Sequence, residues 1–252
     1  MSEVSITVIS ALSSALAADP GRPLVTYYDL GAGERIELSV KTFDNWVAKV
    51  ANLLGDDLGL EAGQRIRVEL PPHWLSTVTV VAAWAAGLQV VMPESACPAD
   101  VCVVGPTALE TAGNRSAGTV IACSLRPLGG AFVEPLPAGW LDFGREVGGQ
   151  PDMLLLDHHV ASGDVALQQA GGALTHAELT REGLLGAERT GLRPGGRLLT
   201  NANPASSPGL FSALVAPLVT ASSVVLVYGA DRSTRTRIAA QEQADCSLCV
   251  DR

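Results

Sequence analysis

Lysine is almost missing from this chain. Only Lys41 and Lys49 among its 17 basic residues are lysines, and none follows Lys49. Basic charge is outweighed by 26 acidic residues, for a net charge of −9. That balance lacks the basic stripe that neutralising nucleic-acid phosphates demands, so a nucleic-acid partner is excluded. Long apolar runs are missing too. The longest, near Val78–Val91, is broken by Thr79 and Gln89. It reads as a helix followed by a strand, too short for a bilayer span, which predicts no membrane partner. Five cysteines (Cys97, Cys102, Cys123, Cys246, Cys249) are too few and odd in number for a disulfide framework. They fit a reducing cytoplasm. The apolar N-terminus carries Glu3 and lacks a positive start, so it reads as an amphipathic helix rather than a targeting segment.

What is present is a globular composition: 252 residues, 47% hydrophobic and 17% charged. A disordered tail, a fibre and a disulfide mini-protein are excluded. Residues 5–18 place Ile6, Ile9, Leu12, Ala15 and Leu16 at helical spacing, stopped by Asp19-Pro20-Gly21. Leu24–Tyr28 and Arg35–Ser39 flank a Gly-rich turn as a hairpin, and Ser39 caps a helix over Thr42–Leu54. Strands are expected at Arg65–Leu70, Gln89–Met92, Val101–Val104, Thr119–Cys123 and Met153–Leu156, with a nearly uncharged helix over His73–Ala86. Thr175 caps a helix over 176–190; Arg197–Thr200 and Ser222–Tyr228 are strands around an apolar helix over Ser206–Val219. A last helix spans about 231–243, before a strand stub at Cys246–Val250. Strands alternating with helices call for an α/β fold with a mostly parallel sheet and helices on both faces. The second part repeats the first part's punctuation, suggesting one domain of two related halves, about 1–150 and 151–252.

The order of several phrases carries a resemblance. These are Leu38-Ser39 with Thr42-Phe43, then Leu60 with Gly63-Gln64-Arg65-Ile66, Leu70-Pro71, Ala82 with Ala86-Gly87, and Val90-Val91-Met92-Pro93. Leu174-Thr175-His176, Leu192–Arg197 and Ala216–Val227 continue it. Over roughly residues 24–245 the chain resembles the opening part of the adenylate-forming enzymes, which include acyl-CoA synthetases, luciferases and peptide-synthetase adenylation domains. The resemblance implies the layered αβα(βα) N-terminal subdomain of that superfamily. It also implies a truncated relative, because the family's acyl pocket, ribose-binding Asp and catalytic lysine all lie downstream of the matched part.

In that family a flexible loop, S/T-S-G-T-T-G-x-P-K-G, stands just before "LTH" and wraps the ATP phosphates. Glycines admit backbone N–H groups, hydroxyls donate and lysine supplies a charge. Matched here to residues 161–171, the loop keeps Ser162 and Gly163. Its threonines fall on Asp164 and Val165, its next glycine on Ala166, and Pro-Lys on Gln168-Gln169. Ser162, Gly163, Asp164, Gly171, Thr175 and His176 are thus the candidate nucleotide-site residues of a degenerate loop. Each lost charge-assisted bond removes about 1.5–3 kcal/mol. Asp164 close to a phosphate would add repulsion of up to about 4 kcal/mol.

No catalytic residue is assigned. Lys41 and Lys49 read as surface charges, Ser162-Gly163 lacks the G-x-S-x-G elbow, and His158-His159 beside Asp157 reads as an exposed loop rather than a metal site. Cys246-x-x-Cys249 lacks a second pair for zinc and sits in a strand-like context, so its thiols are structural. His176 reads as structural, and Trp46, Trp74 and Trp84 as core or interface. The expectation is a catalytically inactive homologue acting as a cytoplasmic binding or assembly module with no cofactor, self-associating or covered by a protein partner. One alternative is the acyl-adenylate- or CoA-binding half of a ligase completed by a partner chain, for which ATP and Mg would be the cofactors. Another is a small-molecule sensor.

Overall fold

The alternation of β-branched runs and apolar helices is realised twice, in two sheets facing one helical layer. The computed structural model describes residues 6–114 and 118–250; the expected helix start at residue 5 and the acidic start at Glu3 lie outside them. Helix α1 (Val8–Ala18) starts in a capping box, the Thr7 side chain accepting from Ser10 N–H. β1 (Pro23–Asp29) and β2 (Glu34–Ser39) form the expected hairpin, and Ser39 caps α2 (Val40–Asn52) by accepting from Thr42 N–H. β3 (Arg65–Glu69), α3 (Trp74–Ala85), β4 (Gln89–Val91), β5 (Val101–Val104) and β6 (Thr119–Ala122) occupy the segments read from the sequence. β7 (Trp140–Asp142) and α4 (Phe143–Gly148) were not foreseen. β8 (Val165–Gln169), β9 (Gly172–Thr175), α5 (His176–Thr190) and β10 (Arg197–Thr200) follow. The helix expected over 206–219 is present without interruption, as α6 (Ser207–Gly209), a π-helical stretch (Leu210–Val215) and α7 (Ala216–Val219). β11 (Ser223–Tyr228), α8 (Arg232–Gln241) and β12 (Cys246–Leu248) complete the chain.

The first sheet has the order β12-β10-β11-β1-β2 and the second β7-β6-β5-β3-β4-β8-β9. All neighbours are parallel except the two hairpins, β1–β2 and β8–β9. Each sheet draws strands from both halves of the sequence. Strands of residues 1–150 and 151–252 thus lie side by side in both sheets.

The main core joins Leu24, Val25 and Leu226 of the first sheet to Ile66, Val68 and Val90 of the second through α1, α2 and α3. Every residue of α3 is buried, which explains why that segment could shed all charge. On the outer face of the first sheet, α8 covers Leu199, Val225 and Val227 with Ile238. Outside the second sheet, Phe132, Leu136 and Trp140 pack on Cys102, Val104 and Val120.

Met153–Leu156 is not a strand but an irregular strap along the edge of α2. The Asn52 amide, fully buried, replaces a neighbouring strand: Nδ2 donates to the carbonyls of Pro151 (3.3 Å) and Met153 (2.9 Å), and Oδ1 accepts from Leu155 N–H (2.9 Å). One side chain thus satisfies the strap's backbone without a ladder. Lys49 reinforces it, donating to Gln150 O and pairing with Asp152 at 2.7 Å. Lys49 is therefore a tether, while Lys41 is the surface charge expected, 3.6 Å from Asp44.

Candidate functional site

Only Ala170 and Gly171 turn the chain between β8 and β9, because Gln169 already pairs with Gly172. Gly172 closes the turn at φ +115°, a conformation that side-chain-bearing residues rarely adopt. On its other side β8 is zipped to β4, Val90 opposite Leu167 and Val91 opposite Gln168. The flexible loop expected over 161–171 is thus, for most of its length, a strand and a tight turn. Val165, Ala166, Gln168 and Gln169, matched to the loop's Thr, Gly, Pro and Lys, lie inside β8. Their backbone groups are drawn into the ladder and cannot wrap an anion. The signal was there to read: an apolar Val165-Ala166-Leu167 run ahead of Gly171-Gly172 is a hairpin pattern.

Five of the six candidate residues do meet, but at the end of the hairpin away from its tip. His176 N–H donates to Asp164 O (3.0 Å) and Ala177 N–H to Ser162 O (2.9 Å). Gly171 lies at the tip, roughly 15 Å away along the strand. Asp164 folds into a local turn, its carboxylate accepting from Ala161 N–H at 2.8 Å. It stands away from the hairpin tip, so the repulsion expected beside a phosphate loop has no loop to act on. Gly163 lies in the same turn, which is exposed there.

The remaining polar groups are occupied by the fold. The Thr175 hydroxyl accepts from Glu178 N–H, and the Glu178 carboxylate accepts from Thr175 N–H (2.8 Å) and its hydroxyl (2.9 Å). Those bonds hold the Glu178 carboxyl below the usual range. His176 is 1% exposed and meets Trp84 edge-on at 6.3 Å. Trp84 in turn donates from Nε1 to Ala166 O at 2.9 Å. Burial lowers the His176 pKa to about 4, so at neutral pH the ring is uncharged and no anion partner. A second histidine behaves alike: His73 caps α3, accepts from Leu75 N–H at Nδ1 and meets Tyr27 edge-on at 4.5 Å, and burial lowers its pKa to about 4.

His158 and His159 are exposed, as expected of a loop. His158 rests on Gly87, where a Cβ would come within 2.5 Å of its Nε2. Both line a groove of about 720 Å³ between α1 and the strap, with Ile9, Leu154, Val160 and Ser162. Among the described residues no group of three or more His, Cys, Asp or Glu is placed to hold a metal ion. Trp74 and Trp84 are core residues, and Trp46 packs on Trp74 at 5.1 Å. All five cysteines are free; Cys246 lies in β12 and Cys249 is exposed just beyond it. Sequence reasoning passed over two sets of residues the structure makes prominent, Asn52 and the arginines of α8. No helix among the described residues is long and apolar enough to cross a membrane.

Solved acyl-CoA and CoA ligase structures share this architecture over about half of their length. An acyl-CoA synthetase of Brucella canis superposes with a TM-score of 0.80 at 18% identity, over 98% of this chain and 48% of that one. The anthranilate CoA ligase AuaEII, solved in complex with anthranoyl-AMP, gives 0.74 at 17% identity, over 99% and 50%. The chain thus spans about half the length of the solved structures it matches. No family model matches it. A TIGR03089 family protein of Mycobacterium tuberculosis is 33% identical over 235 residues, 92% of this chain and 93% of the relative. The chain belongs to that family.

Proposed function

We propose that this protein is a non-catalytic relative of the acyl-CoA synthetases and CoA ligases, working in the cytoplasm as a binding or assembly module. The observation that carries this reading is the two-residue turn in front of Leu174-Thr175-His176. Ala170 and Gly171 offer neither hydroxyl nor cation where a phosphate cradle would need both. A phosphate held by such a cradle gains about 1.5–3 kcal/mol from each charge-assisted bond, so losing several lowers affinity by orders of magnitude. Neither lysine can substitute, since both lie on α2 and Lys49 is committed to the strap. An assembly role is supported by the exposed apolar side chains of Ile6, Met153 and Leu155, which self-association or a protein partner would cover.

ATP–pyrophosphate exchange across a panel of carboxylic acids tests the reading, and the expected result is no exchange above background. Exchange by the purified chain overturns it. The half-length match to the solved ligases supports a second reading, in which another chain completes a ligase that binds an acyl-adenylate or CoA-like ligand. Exchange that appears only when a co-purifying partner is added back would select that one.

A further inference from the structure

Helix α8 places its charge against its own electrostatics. It carries Arg232, Arg235 and Arg237 with no acidic residue, and two of these cations stand near its N-terminal end. The N-terminus of a helix is its positive end, so cations there are unfavourable. The nearest acid, Asp231, is engaged as the cap, accepting from Thr234 N–H (2.8 Å) and the Ser233 hydroxyl (3.0 Å). Arg235 donates from Nη1 to Ala230 O at 2.7 Å, while its Nε is buried without a partner. In a chain of net charge −9, three arginines on this one helix, with Asp231 beside Arg235, are a local concentration of positive charge.

The same spot is a crevice created by topology. β10 and β11 are parallel neighbours, yet β10 leads into α6 in the layer between the sheets, whereas β11 leads into α8 on the outer face. Where adjacent strands send their connections to opposite faces, the chain parts at their carboxyl ends and leaves a binding crevice. Two cavities occupy it, one on each side of the Arg235 side chain. The first, about 380 Å³, includes Asn201, Gly229 and Asp231 in its lining. The second, about 490 Å³, runs under α8 over Leu199, Ala239, Ser247 and Cys249 and is rimmed by Arg232. Each has the size of a small-molecule site.

We infer that this crevice binds a small phosphate-bearing organic anion, its phosphate held between Arg232 and Arg235 and its apolar body lying on Leu199 and Ala239. Arg232 and Arg235, one helical turn apart, share a face; with Nη1 on Ala230 O and Nε buried, Arg235 offers Nη2 beside the fork of Arg232. The Ser247 hydroxyl lines the same space and can donate, whereas that of Thr236 is already given to Arg232 O at 3.0 Å. The site shares no residue with the β8–β9 hairpin, so it stands or falls apart from the reading proposed above.

Calorimetric titration with inorganic pyrophosphate, on the full chain, is the first test. Binding tighter than millimolar is expected, weakening as salt rises. Arg232→Gln and Arg235→Gln should each weaken it at least about tenfold, and Arg237→Gln, whose side chain lines neither cavity, should not. No binding up to about 10 mM, or an equal loss in Arg237→Gln, overturns the inference. Malonate bound as tightly as pyrophosphate would also overturn it, as would a site specific for carboxylates. Because Arg235→Gln could disturb folding, alkylation of Cys249 in the unaltered protein gives an independent readout. Pyrophosphate should slow it at least about threefold, followed by mass spectrometry of the Cys249 peptide, and an unchanged rate counts against the site. ATP that binds the unaltered chain, is lost in Arg235→Gln and supports no exchange would mark this crevice. Exchange activity would instead strike at the non-catalytic reading alone.

Discussion

Helices α3 and α8 both pack on the first sheet, and they could hardly differ more. α3, held between the sheets, has every residue buried and no charged side chain. α8, on the outer face, buries only Ile238 and carries three arginines. Burial on all sides leaves α3 little room for polar atoms: the Ser76 and Thr77 hydroxyls turn back onto the His73 and Trp74 carbonyls, while Trp74 Nε1 and Thr79 Oγ1 stay buried without a partner. The outer helix needs one apolar contact to stay in place, and the rest of its surface is free to meet a ligand. Stability is therefore concentrated in the central layer, and binding chemistry on the layer outside.

The central layer should yield the largest effects. Trp84 is fully buried, donates to Ala166 O and backs His176, so Trp84→Ala loses packing and that hydrogen bond. A loss of about 3–5 kcal/mol is expected, read from the denaturant midpoint. A change below about 1 kcal/mol would break the contrast between the layers.

Next come the two buried histidines. Each is held near a pKa of about 4 by burial, against 6.5 when unfolded. Below 6.5 the unfolded chain takes up a proton that the folded chain refuses, so stability is complete above about pH 6.5 and drains away as pH falls toward 4. Each ring accounts for up to about 3 kcal/mol of that loss. His73→Gln and His176→Gln should each flatten the slope of stability against pH between those limits. An unchanged slope in both variants would show that the rings are not the cause.

Much of this layered design was legible in the sequence, for a physical reason. Segments whose period matches their environment declare themselves: α5 covers the 176–190 read from its Thr175 cap, and Gly191 at φ +72° ends it. The strap failed because Met153–Leu156 has the composition of a strand, while its backbone partner is a distant side chain, Asn52. The site failed differently. Matching a loop motif by position assumed an unbroken spacing, whereas β8 and its turn occupy the place where the loop was sought. The α8 crevice was illegible because its residues come from β10, β11, α8 and the edge of β12, which only the sheet order brings together.

The strap supplies an intermediate case, neither core nor free surface. Asn52→Ala removes three hydrogen bonds to residues 151–155 and exposes their backbone to competition from water. About 1–3 kcal/mol of stability should go, with faster proteolytic nicking within 151–159 as the more direct signature. Nicking elsewhere, with this segment intact, would mean that Lys49 and the packing of Leu156 on Gly55 suffice to hold it.

The smallest effect belongs to Arg232, and its sign matters more than its size. It is the first residue of α8, where a positive charge opposes the helix dipole, and it makes no ion pair among the described residues. Replacing it by glutamine should leave stability within about 0.5 kcal/mol, with any change a gain. Thermal unfolding at low and at high salt reads this out, since added salt should erase a gain that is electrostatic. A loss above about 1 kcal/mol would make Arg232 part of the scaffold. The division between a stabilising inner layer and a binding outer one would then fail where it is sharpest.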